Sequence, residues 1–463
     1  MDYDVLILGG GIIGCAAAYE LSKYSLNVAL IEKNYDIAED VALVNTAIVY
    51  DGVECKDSMM AKLELMGNSM LGEVTSKLNV PFKRCGSLII ASNMQQQEKV
   101  KEIYERAIKR GIKNISMMDS EATRKMEPNL NIEVKGSIYS KNMGVICPYD
   151  LAIAYGEVAF DNGVNFKLEE EVIEIQKISR GYRVVTNKNK FTCKIVLNTI
   201  PSSGLDGIEI EEKEESEFSQ SYFLLEKKFK DNFSNILFTL DENDEKSYVV
   251  PTVQGNTIAA ITSKEYLSYA DTLKKISDLV PGIKEEHLNT YYHEPFKNEP
   301  IMIDDSSIDK GYIKVTGKHY AKVTMTPSIS KLISDTITSN INCKLKKDFI
   351  DKRRDSYKFR EMSQEERSSI IKLDKRYGKV ICLCNLVTEG EIVDSIRRPL
   401  GARTIEGIKR RTGVTLGSCQ GSYCVNKIIS ILARETNKGF TDIVKDSKSS
   451  KMVIGRIKEF DGV

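Results

Sequence analysis

Four cysteines near the C-terminus are the residues best placed for chemistry: Cys382 and Cys384 as C-x-C, then Cys419 and Cys424 as C-x-x-x-x-C. The 34 residues between the pairs read as two short helices, which would fold one pair back onto the other. Soft thiolate sulfurs gathered in this way suit the two irons of a [2Fe–2S] cluster, with loop backbone donating to the sulfurs. Gly417 and Gly421 flank Cys419, as a backbone wrapping closely round an inorganic cluster needs. A structural four-cysteine zinc site is the competing chemistry, although zinc ribbons favour C-x₂₋₄-C in both halves. Four unrelated buried thiols are the remaining alternative.

The other end supplies a partner for one-electron chemistry. Asp4–Leu8 is a short apolar strand that runs directly into Gly9-Gly10-Gly11-Ile12-Ile13-Gly14, a G-x-G-x-x-G turn. An alanine-rich helix from Cys15 to Lys23 follows, then a strand from Asn27 to Ile31 that ends at Glu32. Gly9 makes the tight turn, Gly11 lets backbone approach a pyrophosphate, and Gly14 lets helix and strand pack closely. The helix N-terminus would seat the pyrophosphate, and Glu32 would accept hydrogen bonds from a ribose. An ordinary βαβ unit without a nucleotide is the alternative.

The elements that position these residues make a mixed chain. At 463 residues, with 41% apolar and 29% charged residues, two or three soluble domains are expected. Lys+Arg and Asp+Glu are both 66, so charge gives no case for nucleic acid as a partner. No apolar run approaches a transmembrane segment of about 18 residues, and the first strand leaves no room for a leader peptide. The other six cysteines show no pairing pattern. Together with a cluster they point to a reducing, cytoplasmic setting, with peripheral attachment to a membrane through a partner left open. Helices are expected over 58–78, 95–110, 148–162 and around 327–340. Strands are expected within 80–92, after Gly163, over 172–178 and 182–186 around a turn at Gly181, and over 194–198 and 312–317. The alternation through 217–304 predicts a largely antiparallel sheet. Residues 344–360 carry eight Lys/Arg against three Asp and read as a solvated connector, or as a docking surface for an acidic partner. Beyond them, Thr388 with Glu391 forms a capping box for a helix ended by Pro399. A second helix runs from Thr404 to Arg411 and stops at Gly413, and a third starts at Cys424.

With both ends read, the chain resembles the flavin-dependent glycerol-3-phosphate dehydrogenase group of the D-amino-acid-oxidase-like superfamily. Within it the chain is most similar to members with a C-terminal [2Fe–2S] domain like bacterioferritin-associated ferredoxin. The resemblance rests on Val5–Gly14 with Ile31-Glu32-Lys33, on Leu78–Leu88, on Gly144–Ile175, and on Phe359–Ser363 and Arg376–Gly378 before the cysteines. It implies FAD rather than NAD, held by Gly9, Gly11, Ile12, Ile13, Gly14, Glu32 and Lys33, with Val172 on the adenine-side strand. It also implies an α/β and α+β architecture: a Rossmann-like FAD-binding domain (1–75, 145–205, 306–343) with an inserted antiparallel-sheet substrate domain (76–144, 206–305). A basic linker (344–376) and a small helical iron–sulfur domain (377–463) complete it.

Departures from the family pattern fall at the substrate side. The usual Gly-Thr-Ser stretch is replaced around Asp40–Thr46, the family histidine is Tyr50, and a glycine of the late flavin-binding turn is Lys322. No arginine lies between Arg183 and Arg353, where the family binds anionic substrate groups. His293 as a general base, Tyr50, and Lys322 beside the flavin ring are the candidate catalytic residues. The expected function is an FAD-dependent dehydrogenase of a small alcohol, hydroxy acid or amine. Electrons would pass through the cluster to an acceptor protein or a second flavoprotein subunit. A non-catalytic electron-transfer or structural subunit is the alternative reading.

Overall fold

The computed structural model describes residues 1–41, 46–200, 218–226, 229, 232–240 and 245–455. Its first sheet runs, in spatial order, Val172–Ile178, Gly181–Thr186, Lys190–Asn198, Tyr3–Leu8, Val28–Ile31 and Asn165–Lys167. Tyr3–Leu8 pairs in parallel with both neighbours, and Tyr312–Thr316 adds in parallel to the end of Lys190–Asn198. Val5 and Ile7 pack into one apolar core while Leu6 and Leu8 pack into another, on opposite faces. A strand buried on both faces reads as a continuous apolar run, which is why this segment carries no polar alternation. Every residue of the helix Ile12–Ser22 is buried. Its alanines let it sit between the helices Pro148–Asp161 and Lys322–Asn340.

The second sheet has eight strands, in the order Leu288–Phe296, Phe218–Leu225, Thr257–Ser263, Lys246–Pro251, Ile236–Leu240, Ser87–Ala91, Gly136–Ser140 and Ile115–Met118. One pair, Ile236–Leu240 with Ser87–Ala91, is parallel; the rest are antiparallel. Tyr222, Phe238 and Ala260 face the large central core, and Phe223, Leu237 and Ile261 face a separate outer core. Residues 201–217, which span the expected boundary between the FAD-binding segment 145–205 and the substrate segment 206–305, lie outside the described residues.

Three expectations change in detail. The helix placed around Pro327 starts five residues earlier, at Lys322, with Pro327 inside it. The hairpin strand starts at Gly181 itself, at φ +95°. The basic run is not solvated throughout: Arg353 is buried, with Nε 2.6 Å from Glu157 and Nη1 2.8 Å from Asp150. Arg354 makes a two-pronged pair with Asp161. Arg353 and Arg354 are thus neutralised within the chain, along the acidic side of Pro148–Asp161. Among the described residues no helix is long and apolar enough to cross a membrane.

Candidate functional site

The C-terminal residues fold as their capping signals require. Thr388 and Glu391 close a reciprocal capping box on the helix Glu389–Arg397. Gly413, at φ +78°, ends Ile405–Thr412, and Val425–Thr436 starts at Cys424. Cys382 closes the short strand Val380–Cys382 and is buried with Cys424, while Cys384 is exposed. The Sγ atoms of Cys384 and Cys419 are 3.5 Å apart. Burial pushes the Cys424 thiol up to about 11, with the neighbouring Cys382 thiol adding to the rise. Cys419 is shifted the other way, first by the backbone N–H of Gly421, then by the Cys384 thiol and the N–H of Tyr423. A loop that aims N–H groups at a sulfur is built for thiolate ligands. A side chain at Gly417 would put its Cβ 2.4 Å from Cys384 Cβ, so glycine is what lets the two loops meet. The donor set fits a [2Fe–2S] cluster on Cys382, Cys384, Cys419 and Cys424.

This domain is clamped to the rest of the chain. Arg411 grips Asp36 with both terminal nitrogens, at 2.6 and 2.8 Å, and both side chains are buried. Arg398 reaches Glu157 at 3.2 Å beside Arg353. Burial alone would raise the Glu157 carboxyl, but Arg353 and Arg398 outweigh it and hold it below its usual range. Gln420, next to Cys419, donates to the carbonyl of Asn289 on the second sheet. A cavity of about 950 Å³ lies along this junction. Cys384, Gly417 and Ser418 line it from the cluster side, and Tyr149, Gln254 and Asn256 from the other.

At the N-terminal site the glycines have measurable reasons. Gly9 is at φ +101°. A Cβ at Gly14 would lie 2.1 Å from the Gly9 carbonyl oxygen. Glu32 follows the strand Val28–Ile31 and accepts from the Gly10 N–H at 2.6 Å and the Asn34 N–H at 2.8 Å. Ile12 and Ile13 are buried at the helix start, and Lys33 is exposed. Val172 is buried beside Ile31 and Leu8. Glycine turn, helix start and acid are therefore arranged as an adenine dinucleotide requires, and they fit FAD. One residue alters the cradle. The Asp40 carboxylate accepts the Ile12 N–H at 3.0 Å and pairs with Lys322 Nζ at 2.6 Å. Lys322 is thereby placed at the phosphate end of the cradle rather than free beside a flavin ring. Residues 42–45, inside the altered stretch, lie outside the described residues.

Tyr50 is buried, with its N–H on Thr324 Oγ1 at 3.0 Å and its ring edge-on to Tyr320, 4.8 Å between centroids. Burial keeps its hydroxyl protonated far above the usual range. His293 is not brought to it. His293 pairs across the sheet with Ser221, whose Oγ lies 3.0 Å from Nδ1, whereas Tyr222 pairs with Tyr292. Successive residues point to opposite faces, so His293 is on the outer face and Tyr222 on the face that holds Tyr50. A cavity of about 190 Å³ on the inner face is lined by Tyr222, Leu224, Ile258 and Tyr292, with Cys147 and Arg410.

Sequence reasoning missed a buried group next to Tyr50: Cys55, Glu64 and His319, whose ligand atoms lie within 4.8 Å of one another. Burial pushes Glu64 up to about 8 and Cys55 up to about 12, and brings His319 down to about 4. Burial thus disfavours the charged form of all three. Their signal in the sequence was faint, since the three residues come from two distant segments.

Comparison with known proteins agrees with this geometry. Residues 4–336 match the FAD dependent oxidoreductase family, and residues 380–434 match the BFD-like [2Fe-2S] binding domain. A glycerol 3-phosphate dehydrogenase of Caloramator mitchellensis is 34% identical over 479 aligned positions, covering 98% of this chain and 99% of that protein. A glycerol 3-phosphate oxidase of Mycoplasma pneumoniae is 32% identical over 193 positions, 41% of this chain and 50% of that one. Among solved structures, the dithionite-reduced L-alpha-glycerophosphate oxidase of Mycoplasma pneumoniae with FAD bound superposes with a TM-score of 0.69 at 23% identity. It covers 77% of this chain and 99% of its own. A glycine oxidase of Geobacillus kaustophilus gives 0.61 at 18% identity, covering 73% of this chain and 95% of its own. At these identities the two structures speak for the fold.

Proposed function

The chain belongs to the FAD-dependent oxidoreductases of the glycerol 3-phosphate dehydrogenase group, and from that premise we propose that it oxidises a small alcohol, hydroxy acid or amine and passes the electrons through its [2Fe–2S] domain to an acceptor protein or second flavoprotein subunit. A bound flavin accepts two electrons and releases them singly, and a [2Fe–2S] centre carries one. The observation that carries the reading is the clamp: buried Arg411–Asp36 and Arg398–Glu157 pairs hold the cysteine loops against the oxidoreductase core. A domain merely tethered to the core would not need them. Gly9, Gly11, Gly14 and Glu32 would hold the dinucleotide, and Cys382, Cys384, Cys419 and Cys424 the cluster.

For the substrate, the inner cavity offers mainly Tyr222, Leu224, Ile258 and Tyr292, and the second sheet contributes no arginine among its described residues. A phosphate dianion in a partly closed pocket needs charge-assisted donors, each contributing on the order of 1.5–3 kcal/mol. Lys409 and Arg410 also line the cavity, but Lys409 is paired with Glu406 and Arg410 faces Asp36 and Glu39, so their charge is already offset within the chain and the preferred substrate is less anionic than a phosphate monoester. With His293 on the outer face, Tyr50 is the remaining candidate to orient a substrate O–H or N–H, although its buried side chain does not line this cavity. The test is anaerobic flavin bleaching with hydroxy acids, amines and simple alcohols beside glycerol 3-phosphate, followed by the cluster's electron paramagnetic resonance. Bleaching by one of the first three classes with a reduced-cluster signal is expected. Full bleaching by micromolar glycerol 3-phosphate would overturn the substrate reading. Bleaching with no cluster signal would overturn the electron path.

A further inference from the structure

The helix Ile12–Ser22 takes no side-chain hydrogen bond from its own N-cap residue, Gly11. Its capping acceptor is Asp40, 28 residues from Ile12, whose Oδ1 accepts the Ile12 N–H at 3.0 Å. The same carboxylate covers Gly11: a Cβ there would lie 2.9 Å from both Asp40 Cγ and Oδ2. That is the approach side of the second glycine of the turn, where a dinucleotide brings its pyrophosphate. The other oxygen holds Lys322 Nζ at 2.6 Å. Lys322 is the first residue of its own helix, Lys322–Asn340. A cation at a helix N-terminus opposes the helix dipole, and the Asp40 carboxylate offsets that for Lys322.

We propose that Asp40 is a built-in occupant of the pyrophosphate seat, and that FAD enters only by displacing its carboxylate and taking over the Ile12 N–H and Lys322. The proposal rests on the flavin reading above and adds to it a residue that sets how tightly the cofactor is held. The segment before Asp40 gives it a fixed pivot. Asp36 is locked by Arg411, and Asp36 Oδ1 also accepts the Ile37 N–H, so the swing is confined to the turn Glu39–Val41. Asp40 is exposed. Once displaced, it still leaves a negative charge beside a doubly anionic pyrophosphate, which Lys322 offsets only in part. FAD should therefore be held less tightly than the glycine turn and Glu32 alone would allow.

The experiment is titration of flavin-free, full-length protein with FAD, read by quenching of flavin fluorescence, for wild type, Asp40→Gly and Asp40→Asn. Asp40→Gly is expected to tighten FAD at least tenfold, and Asp40→Asn, which keeps an acceptor for the Ile12 N–H, to tighten it less. Riboflavin, which lacks the pyrophosphate, should bind all three proteins alike. Thermal melts supply a second readout. Asp40→Gly should melt lower than wild type without FAD and gain more than wild type when FAD is added. Equal or weaker FAD binding by Asp40→Gly, with wild type binding FAD, would overturn this proposal and leave the flavin reading standing. If none of the three binds FAD, both fall.

Discussion

The two cofactor ends of this chain are prepared to different degrees. At the C-terminal end the loops are shaped for the cluster and nothing of the chain stands between the sulfurs: Cys384 and Cys419 meet at 3.5 Å, and the Gly421 N–H already favours a thiolate. At the N-terminal end the glycine turn is equally well formed, but a carboxylate from the chain itself lies on the helix start. The contrast teaches that a motif fixes the geometry of a seat and not its occupancy. Four cysteines attract a metal cluster because no other side chain competes for soft sulfur. Backbone N–H groups donate to any anion, and a nearby aspartate is one.

Arg411→Ala should have the largest effect on this contrast, because it cuts the two ends apart. It removes the two-pronged partner of the buried Asp36 carboxylate and leaves only Arg410, at 3.8 Å; breaking a buried pair costs up to about 3–5 kcal/mol. The expected outcome is a lower melting temperature and new proteolytic cleavage between residues 344 and 362, with iron content retained. A melt and digestion pattern equal to wild type would mean that the clamp does not hold the domains.

pH should then separate the ends in opposite directions. Glu64, near Tyr50, is raised to about 8 by burial. Its folded value exceeds its unfolded one, so its contribution is complete below the ordinary glutamate range and is lost as pH rises towards 8. Glu64→Gln should remove that loss, up to about 4 kcal/mol at alkaline pH. Glu157, at the clamp, is lowered by Arg353 and Arg398 against the effect of burial. Its contribution is present above the ordinary glutamate range and disappears as pH falls through the depressed value. Melts from pH 2 to pH 9 should thus show weakening below the ordinary glutamate range that Glu157→Gln removes, and weakening from that range up to about pH 8 that Glu64→Gln removes. Identical profiles for wild type and Glu64→Gln would contradict the buried, neutral Glu64.

The smallest effect is confined to the cluster. Gly417→Ala forces Cys384 to shift, since the added Cβ would lie 2.4 Å from its Cβ. Such overpacking costs about 1–3 kcal/mol. Iron and sulfide content should fall while FAD affinity, from the same titration, stays at the wild-type value. Full iron content would show that the loops tolerate the side chain.

How far the sequence revealed this structure depended on the range of the interactions. The cluster domain was legible almost to the residue, because its signals are local: Thr388 with Glu391, Gly413 as a left-handed cap, and Cys424 at a helix start. The glycine turn and Glu32 were legible for the same reason. The clamp was not, since Arg411 and Asp36 are 375 residues apart. Half of the role of the basic run 344–360 was readable after the fact, because Asp150, Glu157 and Asp161 recur at spacings that share one helix face. His293 shows what register adds. Its residue type suggested chemistry, but only its pairing with Ser221 reveals which face it occupies. Asp40 stood inside a stretch that departs from the family pattern, yet nothing in the sequence aimed its carboxylate at Ile12.

The central claim, a ready cluster seat beside a self-occupied flavin seat, is tested most directly by cofactor content in protein prepared without oxygen. Iron, sulfide and FAD should be measured per chain before and after dialysis against excess FAD. About two iron and two sulfide per chain are expected throughout, with FAD well below one per chain at first and rising towards one after dialysis. Iron-free protein that holds one tightly bound FAD from the outset would contradict that claim.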